Sequence, residues 1–248
     1  MARHDHFLWD SKALSHVGRV RRLNEDACLE RPDEGLWIVA DGMGGHSSGD
    51  LASQMIVDGF RDLRLPDSLA QRVDLMEEGL LTINRRLRAE AVRRGGNTTI
   101  GSTVVILLVY QHQGIVLWAG DSRAYRFREG QLQRITQDHT QVEELVEQGL
   151  LLREDAEHHP AANVVTRAVG AMDELYIDMD NHRVECGDTY LLCSDGLNKE
   201  VEEQEIARQL ARGEDAESSA RRLLELALER GARDNVTLIV TRALDGVD

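Results

Sequence analysis

The chain has 248 residues, 42% of them hydrophobic, and its 29 basic against 44 acidic residues leave a formal net charge of −15. That length allows one large domain with a substantial buried core. The acidity and the lack of any basic run exclude a nucleic-acid stripe working by counterion release and argue against an anionic membrane surface.

Strands are expected at about 13–20, 27–30 and 35–40, the last one apolar and ending in Val39-Ala40. A Gly-rich turn over 42–49 leads into a helix at about 50–63 and a second at 68–94. The second places Leu75, Met76, Leu80, Ile83 and Leu87 near a 3.6-residue spacing. Strands at 102–110, 114–119, 122–128 and 131–134 are separated by turn signals, Gln113-Gly114, Gly120-Asp121 and Glu129-Gly130, and read as an antiparallel meander. A helix at 139–150 precedes an irregular stretch to about 165. Strands at 174–184 and 188–194, helices at 202–211 and 215–230, and a strand at 236–241 complete the chain. Paired helices between runs of strands argue α+β, with antiparallel sheets packed on each other and helices outside. No repeat or linker appears, so a single domain over 1–248 is expected.

Cys28, Cys186 and Cys193 are spaced for neither a disulfide framework nor a C-x-x-C zinc site, and fit reduced thiols. The N-terminus lacks a signal peptide's apolar core, and the longest apolar run is far shorter than a membrane span. A cytoplasmic monomer without membrane insertion is expected.

Several carboxylates share one context at strand ends. Asp41 follows Leu36-Trp37-Ile38-Val39-Ala40, Asp121 follows Ala119-Gly120, Asp195 follows Leu191-Leu192-Cys193-Ser194, and Asp234 precedes Val236-Thr237-Leu238. Asn24-Glu25-Asp26 sits before the short strand at Cys28. One Asp-Gly alone is a turn former. Several carboxylates converging at one sheet end could not all ionise without a cation. Hard divalent ions with oxygen ligands, Mg²⁺ or Mn²⁺, meet that need, and the scarcity of nearby histidines disfavours zinc. Competing motifs fail: the G-x-G-x-x-G pattern from Gly42 breaks at Ser47, and neither a Walker motif nor H-E-x-x-H is present. Asp178-Met179-Asp180 reads as a solvated strand face.

Six elements occur in order: Val17 to Asp26, Val39-Ala40-Asp41-Gly42-Met43-Gly44-Gly45-His46, Gly101-Ser102-Thr103, Ala119-Gly120-Asp121-Ser122-Arg123, Cys193-Ser194-Asp195-Gly196-Leu197 and Asp234-Asn235-Val236-Thr237. Together they resemble the PP2C family of metal-dependent protein phosphatases in its compact bacterial form, over about residues 15–242. The resemblance implies an α/β/β/α sandwich, two antiparallel sheets face to face with a helix pair on each outer side. It implies a Ser/Thr phosphatase using two Mn²⁺ or Mg²⁺ ions and no phosphoenzyme. Asp41 would bridge the metals, with the Gly42 carbonyl on one and Asp195 and Asp234 on the other. Glu25 and Asp26 would act through metal-bound waters, and Asp121 with Asp195 would hold a third, weaker ion. Arg21 would clamp the phosphate and His46 would serve as general acid. A catalytically silent relative or a phosphatase of small metabolites are the alternatives. Phosphoproteins, a serine/threonine kinase and forkhead-associated proteins are the expected partners. The flap, about 138–166, carries acidic residues such as Glu143, Glu144 and Glu147 and offers nothing to an acidic phosphopeptide.

Overall fold

The computed structural model describes residues 7–44, 48–95, 99–156 and 159–246. In chain order the strands and helices are β1 (Leu8–His16), β2 (Asp26–Arg31), β3 (Leu36–Met43), α1 (Gly49–Arg61), α2 (Leu69–Arg93), β4 (Gly101–Ser102), β5 (Val104–Tyr110), β6 (Gln113–Ala119), β7 (Arg123–Arg128), β8 (Gln131–Arg134), α3 (Gln141–Glu147), α4 (Arg153–Ala156), β9 (Asp178–Arg183), β10 (Thr189–Cys193), α5 (Asp195–Asn198), α6 (Glu203–Leu210), α7 (Ala216–Glu229) and β11 (Val236–Leu244). No helix among the described residues is long and apolar enough to cross a membrane.

The strands form two antiparallel sheets, ordered β1-β11-β10-β7-β8 and β2-β3-β5-β6-β9, with the short β4 against β3. Alternation along β3 shows how they stack. Leu36, Ile38 and Ala40 pack with Ile56, Phe60, Met76 and Leu80 of α1 and α2. Trp37 and Val39 point the other way, onto Tyr190, Leu192 and Ile239 of the facing sheet. The far side of that sheet, with Leu191, Cys193, Leu238 and Val240, is covered by Leu197, Ile206 and Leu223 of the C-terminal helices. Central strands therefore read as continuous apolar runs because both faces are covered. This is the expected four-layer sandwich.

Two expectations are corrected. The meander breaks after β6: β6 pairs β5 and β9 in one sheet, whereas β7 pairs β8 and β10 in the other. The Gly120-Asp121 step is thus a crossing between sheets. Gly120 has φ +117°, and a Cβ there would lie 2.5 Å from Thr103 Cβ, so only glycine makes the crossing at that closeness. The first strand lies at Leu8–His16, several residues earlier than its pattern suggested. Its polar residues serve α7: Asp10 Oδ2 accepts from Ala216 N at 2.8 Å and Lys12 pairs with Glu217, which conceals the alternation.

Candidate metal centre

The carboxylates singled out in the sequence meet at one end of the stacked sheets. Asp26 and Asp41 lie directly opposite each other in the β2–β3 register. Asp195 and Asp234 flank the adjacent strands β10 and β11, tied together by Ser194 N donating to Thr237 O at 2.9 Å. Asp121 reaches the same place from the crossing between the sheets. Burial first, and then the charges of Asp26, Asp195, Asp121 and Asp234, push the Asp41 carboxyl well above the ordinary carboxylate range.

Asp41 is fixed from behind. Thr103 N donates to its carbonyl at 2.9 Å, and Ser102 Oγ donates to the same oxygen at 3.0 Å. Burial raises Asp26 to about 7, against hydrogen bonds from Thr237 and Ser194 and with help from Asp195 and Asp234. Burial likewise raises Asp121 to about 7, with the Asp195 charge next and Lys199 partly offsetting it. Glu25 is raised by burial, while Gly49 N donates to its Oε1 at 3.2 Å.

The glycines follow from close packing of backbone. A Cβ on Gly42 would lie 2.0 Å from the Gly49 carbonyl oxygen, and one on Gly196 would lie 1.9 Å from that of Asn235. Larger residues at either point would force apart the loops that carry the acids.

The site's rim carries two cations. Arg21, with a half-exposed side chain, donates from Nη2 to Asp234 Oδ2 at 2.7 Å. This hydrogen bond, then the charge of Asp234, raises its pKa against burial, and Glu25 and Asp195 add to the effect. Arg19 turns away, its Nε donating to Leu228 O at 2.7 Å. On another side Lys199 donates to Asp195 Oδ2. His46 lies outside the described residues.

Three contributors went unread in the sequence. Asn235 holds the Arg21 loop: its Nδ2 donates to the carbonyls of Val17 and Leu23, both at 2.9 Å, and its Oδ1 accepts from Glu25 N at 2.8 Å. Ser194 Oγ donates to Asp26 Oδ2 at 2.8 Å. Both flank a carboxylate within a quoted motif, which was the available signal. Lys199 stands outside the motifs, four residues after Asp195, at helical spacing.

The chemistry of the donors suits a hard divalent ion. Among the described residues, Asp26 Oδ1 and Asp195 Oδ1 are buried with no hydrogen-bond partner, a costly arrangement unless something positive faces them. Among the described residues no three acidic, histidine or cysteine side chains close into a cage by themselves. An open, all-oxygen set fits Mg²⁺ or Mn²⁺, which keep several waters in their coordination sphere.

A family model described as protein phosphatase 2C matches residues 15–237. The structure of PppA, described as a key regulatory component of T6SS in Pseudomonas aeruginosa, is 46% identical with a TM-score of 0.88, covering 95% of this chain and 98% of that one. The serine/threonine protein phosphatase PstP of Mycobacterium tuberculosis is 34% identical over 94% of this chain, which spans only 45% of that protein's length. A structure of the PstP catalytic domain in complex with two manganese ions is 32% identical with a TM-score of 0.84, covering 97% of this chain and all of that one.

Proposed function

The chain belongs to the protein phosphatase 2C family, and from that premise we propose that it is a metal-dependent phosphatase of phosphoserine and phosphothreonine in proteins. The observation that carries this reading is the Asp41 centre, where unpartnered oxygens of Asp26 and Asp195 face acids that only a cation can hold together.

Asp41, the Gly42 carbonyl, Asp195 and Asp234 would hold two Mn²⁺ or Mg²⁺ ions, with Glu25 and Asp26 holding their waters. Such ions supply Lewis-acid activation of water and neutralise charge on phosphoryl oxygens. The chain's own residues do the rest. Ser102 and Thr103 pin the Asp41 backbone, so the central carboxylate needs no rearrangement when substrate arrives. Arg21 presents an exposed guanidinium at the rim, suited to two parallel hydrogen bonds to a phosphate once it leaves Asp234. A thiol nucleophile finds no support: burial pushes Cys28 up to about 11 and Cys193 up to about 12, and the exposed Cys186 is raised as well. The proposed hydrolysis is a direct, in-line attack of water on phosphorus, with no phosphoenzyme. His46, in the Gly-rich loop after β3, is the proposed general acid.

We place the protein in the cytoplasm, opposing a serine/threonine kinase. Forkhead-associated proteins are the proposed substrates. The test is hydrolysis of a phosphothreonine peptide against a panel of small phosphomonoesters, with and without Mn²⁺. Metal-dependent turnover favouring the peptide is expected; full activity after EDTA, or turnover confined to small esters, would overturn the proposal.

A further inference from the structure

Lys199 caps the one-turn helix α5, and the i,i+4 spacing lays its side chain across the start of that helix onto Asp195. The pair is sheltered, with the Asp195 side chain 13% exposed and that of Lys199 37%. The two oxygens of Asp195 differ: Oδ2 accepts from the Lys199 ammonium, while Oδ1 is buried and has no partner among the described residues.

Asp121 is nine-tenths buried, and because Arg123 pairs with Cys193 in the β7–β10 register, Asp121 and Asp195, each two residues beyond that pair, share one corner of the centre. A divalent ion bridging these two carboxylates would have to share Asp195 with the ammonium already bound to its Oδ2. We propose that Lys199 is a built-in cation at the Asp121–Asp195 corner, taking the place of a third divalent ion and restricting the centre to two.

This rests on the two-metal reading above. An ammonium is a compact point charge with three donors. Beside a dication in a partly buried site it repels strongly, because water screens little there. It satisfies Asp195 Oδ2 and leaves Oδ1 for one of the two principal ions. Lys199 is thus a positioning residue that fixes Asp195 without touching substrate.

The test counts metal in the full chain. Titration calorimetry with Mn²⁺ and electron paramagnetic resonance of free Mn²⁺ are applied to the unaltered protein and to Lys199→Met, Lys199→Gln and Lys199→Arg, each checked for folding by circular dichroism. The unaltered chain and Lys199→Arg should take up two ions. Lys199→Met and Lys199→Gln should take up three, the added one binding at least tenfold more weakly and lost again when Asp121→Asn is combined with either. Three ions in the unaltered chain, or two in both uncharged variants, would overturn the role of Lys199 and leave the two-metal reading standing. Fewer than two ions in the unaltered chain would overturn that reading and the inference with it.

Discussion

Two acidic regions of this molecule touch at Gly120, and they solve the problem of crowded carboxylates in opposite ways. Gly120 N donates to His139 Nδ1 at 3.1 Å, and its carbonyl accepts from His139 N at 2.9 Å. On the flap side, a small cavity is lined by Asp138, His139, Glu143, Glu144, Glu147, Arg167 and Asp178 with Gln137. There three of the acids, Asp138, Glu143 and Asp178, have arginine counter-charges. Arg123 binds Asp138 at 2.6 Å, Arg153 binds Glu143 at 2.6 Å and Arg167 binds Asp178 at 2.8 Å. Burial would raise Glu143, but Arg153 and Gln137 outweigh it, and its pKa falls. His139, kept below its ordinary value mainly by burial, bridges Gly120 and Asp178 as a structural link. On the other side, Asp26, Asp41 and Asp121 are all raised, and oxygens of Asp26 and Asp195 have no partner among the described residues. Acid density alone therefore does not mark a metal site. A shortage of protein counter-charge does.

Removing the hub of the unneutralised side should have the largest consequence. Asp41→Ala should lower turnover of a phosphothreonine peptide at least a thousandfold, about 4 kcal/mol or more in barrier, with loss of calorimetric Mn²⁺ binding. Turnover within tenfold of the unaltered chain would mean that Asp41 does not organise the centre.

A second difference concerns pH. Asp26 titrates at about 7 in the metal-free fold and near 4 when unfolded. Between those values the folded chain holds more protons, so its stability rises as pH falls from 7.5 to 5. In EDTA the melting temperature at pH 5.5 should exceed that at pH 7.5 by ~5 °C or more, and Mn²⁺ should abolish that order. A metal-free melting temperature that falls steadily with acid would contradict the raised carboxylate.

The rim cation gives a smaller effect. Arg21→Ala should raise KM about tenfold, ~1.4 kcal/mol, with Mn²⁺ affinity little changed, and Arg21→Lys should recover part of the loss. Arg19→Ala should leave KM alone, since Arg19 faces Leu228; the reverse outcome would move the phosphate clamp to Arg19.

The neutralised side should respond least. Arg153 is 58% exposed at its pair with Glu143, so Arg153→Ala should cost ~1 kcal/mol or less by denaturant melt and change turnover of a small ester by less than about threefold. A loss of bound Mn²⁺ in that variant would show that the two regions are coupled through Gly120.

Much of this was legible in the chain. The apolar run 36–40 located β3 and the position of Asp41, and the 3.6-residue spacing through Met76, Leu80, Ile83 and Leu87 located α2 and its buried face. The motifs named every acid now found at the centre. These signals are local: burial on both faces writes a continuous apolar run, and a helix writes its period, whatever lies beyond.

Partnership between distant segments is not written locally. The pairing of β1 with β11 joins the two ends of the chain, and polar residues on β1 hid it by serving α7. The step at Gly120 looked like a hairpin turn, because a turn and a crossing use the same dipeptide; the separate pairing of β6 and β7 and the Thr103 side chain packed against Gly120 distinguish them. The sequence alone determined which residue types could bind a hard cation. Only the tertiary structure decided which acids kept an unpaired oxygen and which received a lysine, because charge compensation depends on distances between strands that the chain order does not contain.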